Sequence, residues 1–215
     1  MKFVPIICVL LIAACNTPSS KLPKQEASAL LSKFKELSDD SLEVYSPNLE
    51  NNTDVFYGTP LDSSDISLFR GLIYETPPEP SDFFACYKFS LNENTIGLIV
   101  RTPAMYVSSS VKLFLYDIAS QTVTEGSELA ESWGDGGDAQ VKRSFIHKLP
   151  DHSFQALIWN MQSHDNSIES ATDITVTSKN SYFLVKIGSK MDTISRDSAS
   201  LAAKYKELKM KIAGR

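Results

Sequence analysis

The chain has 215 residues, of which 42% are hydrophobic, so it is long enough to bury a substantial core within one domain. Its 21 basic and 26 acidic residues give a formal net charge of −5. This balance gives no sign of the basic surface that nucleic-acid-binding proteins need, or of attraction to anionic lipid headgroups.

The amino terminus has the pattern of an export signal. Lys2 precedes an apolar run over residues 4–14, which is shorter than the about 20 residues that a membrane-spanning helix requires. The run ends in Ile12-Ala13-Ala14-Cys15, a branched residue and two small ones before a cysteine. This order resembles the lipobox of bacterial lipoproteins.

The resemblance covers residues 1–15 and implies the processing of that class. Residues 1–14 are then a cleaved signal peptide, and the Cys15 thiol carries the lipid that anchors the protein to the membrane. Residues 15–23 form a lipidated cysteine with a short polar tether. Asn16, where an aspartate retains such proteins at the inner membrane, favours the outer membrane. Because the tether has no run of acids, we expect the protein to face the periplasm.

An amphipathic helix is predicted after the tether, over residues 24–37. Its apolar residues recur at helical spacing and are separated by lysines and acids. They are Ala27, Leu30, Leu31, Phe34 and Leu37.

From Ser41 onward the pattern changes to short runs rich in β-branched and aromatic residues, separated by turn-forming clusters. These runs predict strands near 42–46, 54–58, 66–74, 83–90, 95–102, 110–117, 121–131, 139–148, 153–162, 172–178 and 181–187. The run at 111–116 is apolar on both faces, which is typical of a central strand that is covered on both sides. The polar segment 178–181 predicts a turn. Connections this short indicate an antiparallel meander.

Helical spacing returns over residues 197–212, where Leu201, Tyr205, Leu208 and Ile212 share one face. The sequence therefore predicts a mainly β fold. In it, residues 24–215 form a single β-rich domain, an antiparallel meander shaped as a sandwich or barrel, with an amphipathic helix at each end.

Cys86 is the one cysteine outside the segment 1–15. It lies in the apolar run 83–87, so a small buried core residue is the expected role, with a reactive thiol or an intermolecular bridge as the alternatives.

The glycine-rich segment 133–138 is the most distinctive motif. Asp135 and Asp138 beside three glycines could supply oxygen ligands to a hard cation such as calcium, but the spacing is not that of an EF-hand. The expected explanation of the glycines is a hairpin turn between the predicted strands 121–131 and 139–148. We therefore predict no metal or other cofactor and keep these two aspartates as weak candidate ligands. Trp133 beside them is either a ligand platform or a tryptophan that closes the core.

The three histidines do not suggest one metal site. His147 and His152 flank a predicted turn, while His164 lies beyond the far end of the next strand, about 40 Å from His152 if that strand is continuous. A two-ligand site at the 147–152 turn is the alternative.

No nucleophile elbow, zinc-protease helix, phosphate loop or dinucleotide fingerprint occurs, so no catalytic residue is assigned. We expect a non-catalytic envelope module that binds a ligand or a protein partner, and no nucleic acid. The alternatives are a membrane-anchored hydrolase of envelope glycans or peptides, and a lipocalin-like carrier. For the carrier, Gly58-Thr59-Pro60 stands where that family has Gly-x-Trp.

Overall fold

A computed structural model describes residues 29–47, 53–69, 71–72, 83–104, 109–170 and 172–213. The predicted signal peptide, the tether and the first part of the predicted helix at 24–37 lie outside these residues.

Eleven strands, two α-helices with complete bounds and one short 3-10 helix, Asn166–Ile168, make up the described fold. The strands are β1 (Lys35–Glu36), β2 (Ser41–Val44), β3 (Thr59–Pro60), β4 (Phe84–Ser90), β5 (Thr95–Thr102), β6 (Ser110–Asp117), β7 (Thr122–Asp135), β8 (Asp138–Lys148), β9 (Phe154–Asp165), β10 (Val176–Ile187) and β11 (Met191–Arg196). The helices are α1 (Ser63–Ser67) and α2 (Ala199–Ala213). Residues 29–32 are also helical.

The strands form one open sheet in the order β1-β4-β5-β6-β7-β8-β9-β10-β11, with β3 beside β4 and β2 beside β8. All pairs are antiparallel except β1 with β4. The prediction of a mainly β, largely antiparallel fold is confirmed.

Strand β7 divides the sheet into two halves, because its partner changes along its length. Residues 122–130 pair with β6, whereas Glu131–Asp135 pair with β8. A bulge at Leu129 lies just before the change of partner, since Val111 faces Ala130 while the next residue of β6 faces Glu128. The first half contains β1 and β3–β6, and the second contains β2 and β8–β11.

The inner faces of the two halves share one apolar core. Phe89 of β4 and Phe154 of β9 are in contact although their strands belong to opposite halves. Fully buried side chains of both halves surround them, among them Ile99, Leu113, Ile146 and Ala156.

Each outer face is covered by helical segments. In the first half, Leu30 and Phe34 pack with α1 residues over Leu98 and Phe114. In the second half, Leu201 and Tyr205 of α2 pack over Phe145 and Leu157. The C-terminal helix therefore covers the outer face of the second half, as the apolar face of the predicted helix 197–212 requires.

Several predicted elements are wrong. The N-terminal helix does not reach Leu37, because Lys35–Glu36 pair with β4. Residues 54–58 form turns, and the predicted strand 66–74 begins inside α1. Asp62 caps this helix, accepting hydrogen bonds from the backbone N–H groups of Ser64 and Asp65.

The predicted hairpin of strands 172–178 and 181–187 is also wrong. The predicted turn at 178–181 lies inside the continuous strand β10, and strand β11 follows it unpredicted. The polar composition of 178–181 reflects exposure on both faces rather than a change of direction.

A polar groove as candidate functional site

Strands β7–β10 extend beyond the core as an arm, formed by residues 131–142 and 160–181. One face of the arm continues the core-facing surface, because alternate residues of a strand point to the same side. Along β9, for example, buried Ala156 and Ile158 are followed on that side by Asn160, Gln162 and His164. The face thus changes from apolar to polar along the strands.

Two rows of side chains cross this polar face. In order from β7 to β10, the first row is Trp133, Gln140, Gln162 and Lys179, and the second is Asp135, Asp138, His164 and Thr177. Since neighbouring strands lie about 4.8 Å apart, each row spans about 14 Å. The rows are two residues apart along the strands, which is about 7 Å.

A groove of about 450 Å³ lies between the rows and is open to solvent. Its floor is made by the intervening residues Ala139, Ser163 and Ser178. Its walls are the indole of Trp133, the amide of Gln162, the ammonium of Lys179 and the polar groups of Asp138, His164 and Thr177. Trp133 is therefore a wall of the groove and not a tryptophan that closes the core.

An ion pair fixes one wall of the groove. His164 Nδ1 lies 2.8 Å from Asp138 Oδ1, and its Nε2 lies 3.7 Å from Glu169 Oε1. The hydrogen bond to Asp138 raises the pKa of His164, with the nearby carboxylates adding to the effect. Carboxylates near both ring nitrogens favour the charged form of the imidazole, because each interacts more strongly with the imidazolium than with the neutral ring.

The glycine-rich segment is the turn at the tip of this arm. Gly136 and Gly137 have positive φ values of 55° and 89°, which favour glycine, so the hairpin reading is confirmed. The Gly137 carbonyl accepts a hydrogen bond from Asp165 N at 2.9 Å.

The two candidate metal ligands are neighbours in the second row. Asp138 is bonded to His164 across the β8–β9 pair, while Asp135 lies opposite Asp138 in the turn. Within the described residues, no group of three or more histidine, cysteine or acidic side chains is placed to hold a metal ion.

A charged network lies at the base of the arm. Glu128 accepts a hydrogen bond from Lys142 at 2.6 Å, and Glu131 accepts one from Gln140 at 3.1 Å. Burial raises the pKa of Glu131, and the neighbouring carboxylate of Glu128 raises it further. Lys112, which is 8% exposed, also lies 3.9 Å from Glu128. The network connects the outer face of the first half to the polar face of the arm.

The other two histidines lie far from the groove in the fold. His147 is buried under α2, neither of its ring nitrogens makes a hydrogen bond of normal geometry, and burial lowers its pKa, assisted by Lys204. His152 is exposed in the turn between β8 and β9. A buried ring under a helix and an exposed ring at a turn do not form the two-ligand site that was the alternative.

Cys86 is 1% exposed and belongs to the shared core, which confirms its predicted role. Burial raises the pKa of its thiol to about 12.

The groove was only partly predictable from the sequence. The segment 133–138 was singled out there, but Gln162, His164 and Lys179 were not connected with it. The predicted β8–β9 hairpin could have connected them. Residues 138 and 164 are equally distant along the chain from its turn at Asp151, so they face each other across the two strands.

Among the described residues, no helix combines the length and apolar character needed to cross a membrane. No protein-family model, curated protein or solved structure matches the chain.

Proposed function

We propose that the protein is a lipid-anchored envelope protein that binds a polar ligand or partner through the groove, without catalysing a reaction. The observation that carries this proposal is the groove itself. It combines an aromatic side chain with amide, hydroxyl, carboxylate and ammonium groups on rigid paired strands, which is the composition of a recognition site. Strands position such groups more firmly than loops do.

Anchoring rests on the sequence. The lipobox-like Ile12-Ala13-Ala14-Cys15 supports a lipid on Cys15, and Asn16 supports a location at the outer membrane, facing the periplasm. Two or three acyl chains at about 0.8 kcal/mol per buried methylene make a stable anchor. The lipid would keep the groove at the membrane surface, where envelope polymers and proteins lie within reach.

A non-catalytic role is supported by the hydrogen-bond partner of His164. Within the described residues, the side-chain hydrogen bond of His164 is to Asp138, and no hydroxyl group is bonded to its ring as a nucleophile would be to its general base. The hydroxyl groups of the groove are then available as hydrogen-bonding groups for a ligand.

A photo-crosslinking amino acid tests the proposal in intact cells. We expect a crosslinker at position 179, in the groove, to capture an envelope component. The matched control replaces Lys190, an exposed lysine in the β10–β11 turn outside the groove, and should capture little. Equal capture from both positions, or none from position 179, would contradict a binding role for the groove.

A membrane-anchored hydrolase is the second candidate, and the carboxyl pair at the base of the arm favours it. The raised pKa of Glu131 beside Glu128 is what the acid of a glycoside hydrolase requires. However, Lys142 and Gln140 hold these carboxyls outside the groove lining. Release of reducing ends from purified cell-wall sacculi by the wild-type protein, lost in Glu131→Gln, would support the hydrolase.

We also infer a sandwich-like rather than a barrel-like arrangement of the two halves. The contact between Phe89 and Phe154 across the shared core supports it, as does the change of partner along β7.

A further inference from the structure

We propose that the ligand of the groove is a short chain of pyranose sugars that carries a carboxylate. This inference rests on the proposed function, because it names the chemical class that the same groove would bind. It is argued from the direction of the groove, its surface chemistry and the position of its charges.

The direction of the groove favours a saccharide over an extended peptide. The two rows run across strands β7–β10, so the groove between them lies perpendicular to the strands. A peptide that binds by strand addition must lie along a strand edge to pair its backbone. A chain of sugar rings needs no such pairing, because its hydroxyls meet side chains directly.

The chemistry of the walls matches a pyranose. The C–H face of a sugar ring packs on an indole such as Trp133, while its hydroxyls both donate and accept hydrogen bonds. The Gln162 amide and the Thr177 hydroxyl also donate and accept, and the Asp138 carboxylate accepts. Trp133 is the one large apolar side chain of the lining, so the groove offers little apolar surface to a lipid chain.

The charged side chains of the groove indicate where the carboxylate of the ligand would bind. Asp138 is hydrogen-bonded to His164, whereas Lys179 makes no ion pair within the part of the chain that the structure describes. Lys179 and Trp133 end the same row, about 14 Å apart. A sugar stacked on Trp133 and extended across Gln162 therefore brings a later ring to Lys179. One cation suits a uronic-type carboxylate, and it is too few for a polyphosphate backbone.

The two tryptophans of the chain give a direct readout. In Trp159→Phe, the fluorescence reports Trp133 alone, and in Trp133→Phe it reports Trp159 on the opposite face. We would titrate the full lipidated protein, in a detergent without a sugar headgroup, with cellohexaose, with a cellohexaose in which one ring is a glucuronate, and with chitohexaose. Thermal unfolding checks that each variant is folded.

We expect the glucuronate-containing cellohexaose to change the Trp133 fluorescence saturably and to bind about fivefold more tightly than cellohexaose. Lys179→Gln should abolish that preference, and Gln162→Ala should weaken binding of all three sugars. Lys190→Gln, the matched control, should change neither.

Two results would overturn the inference. One is the absence of a saturable change with any sugar while the crosslinker at position 179 still captures a protein, which would leave the binding role of the groove intact. The other is an equal response from Trp159 in Trp133→Phe, which would place binding elsewhere. A response at Trp133 with no preference for the acidic sugar would overturn the role given to Lys179.

Discussion

Phe89 and Phe154 pack together with their ring centroids 4.5 Å apart and their planes tilted by 40°, although they lie on strands β4 and β9 in opposite halves of the sheet. Both side chains are at least 95% buried. An aromatic pair of this kind contributes about 0.5–1.5 kcal/mol beyond the burial of its surface. The pair therefore joins the two inner faces at a point where the halves share no backbone hydrogen bond.

This contact predicts a large loss of stability on truncation. Phe154→Ala should lower the free energy of unfolding by about 3–5 kcal/mol, because it leaves a cavity in the shared core. Urea unfolding of both single variants and of the Phe89→Ala/Phe154→Ala double variant should give a coupling of about 1 kcal/mol. Ile118→Ala, at an exposed turn, is the control. A cost for Phe154→Ala no larger than that of the control would refute the packing of one half on the other.

The central strands β5 and β6 were predictable because nearly all of their residues are buried. The strands β5 and β6 match their predicted ranges 95–102 and 110–117, since both of their faces lie in apolar cores. The described apolar residues at 66–69 and 72 belong to α1 and the turns after it, and the capping box of Asp62 decides the conformation. At 178–181 both faces of β10 are polar and exposed, so no alternation was visible.

The groove could not be derived from sequence spacing alone. Its walls come from four strands, and the register of three strand pairs decides which residues meet. His164 was placed far from His152, which agrees with their positions at opposite ends of β9. The same extension of β9 brings His164 to Asp138, because β8 runs back along it. Pairing partners, rather than chain neighbours, make the site.

Cys86 should be inert in the native protein. Its burial raises the pKa of the thiol to about 12, so almost no thiolate is present at neutral pH. A maleimide should label the native protein far more slowly than the urea-denatured protein. To leave Cys86 as the only thiol, the measurement uses the lipidated protein, whose Cys15 sulfur is expected to be blocked. Rapid labelling of folded protein would contradict the core position.

His147 should make the protein sensitive to acid. Burial, with Lys204 nearby, lowers its pKa in the folded state below the ordinary value of about 6.5. The unfolded chain therefore binds a proton first as the pH falls, and stability is lost from about pH 6.5 downward. His147→Leu should reduce this loss and raise stability at pH 7 by about 1 kcal/mol, since it removes two buried nitrogens without hydrogen bonds.

Unfolding by urea at several pH values between 7 and 5 measures this effect. The matched control is His152→Asn, which removes an exposed imidazole from the turn between β8 and β9 and suits the φ of 66° there. If His147→Leu loses stability on acidification as steeply as the wild-type protein, the buried ring is not the source of the sensitivity.

The contribution of His164 to stability should have the opposite pH dependence. Asp138 raises its folded pKa, so the pair stabilises the protein below about pH 6.5 and this contribution is lost as the pH rises through the raised pKa. Asp138→Asn should lower the pKa of His164, as measured by NMR titration of its ring protons. Asp135→Asn removes a carboxylate from the same turn and should have the smaller effect. A pKa that does not respond to Asp138→Asn would show that the ion pair is absent in solution.

Cys15 should decide where the protein is located. If residues 12–15 act as a lipobox, labelling with a palmitate analogue tags the protein, and Cys15→Ser abolishes both the label and retention in the membrane fraction. Cys86→Ser is the matched control, because it removes the other cysteine of the mature chain and should keep the label. The lipid supplies the membrane affinity in this proposal, since each buried methylene contributes about 0.8 kcal/mol. A Cys15→Ser protein that stays labelled and membrane-bound would therefore refute lipid anchoring at Cys15, and with it the position of the groove at the membrane surface.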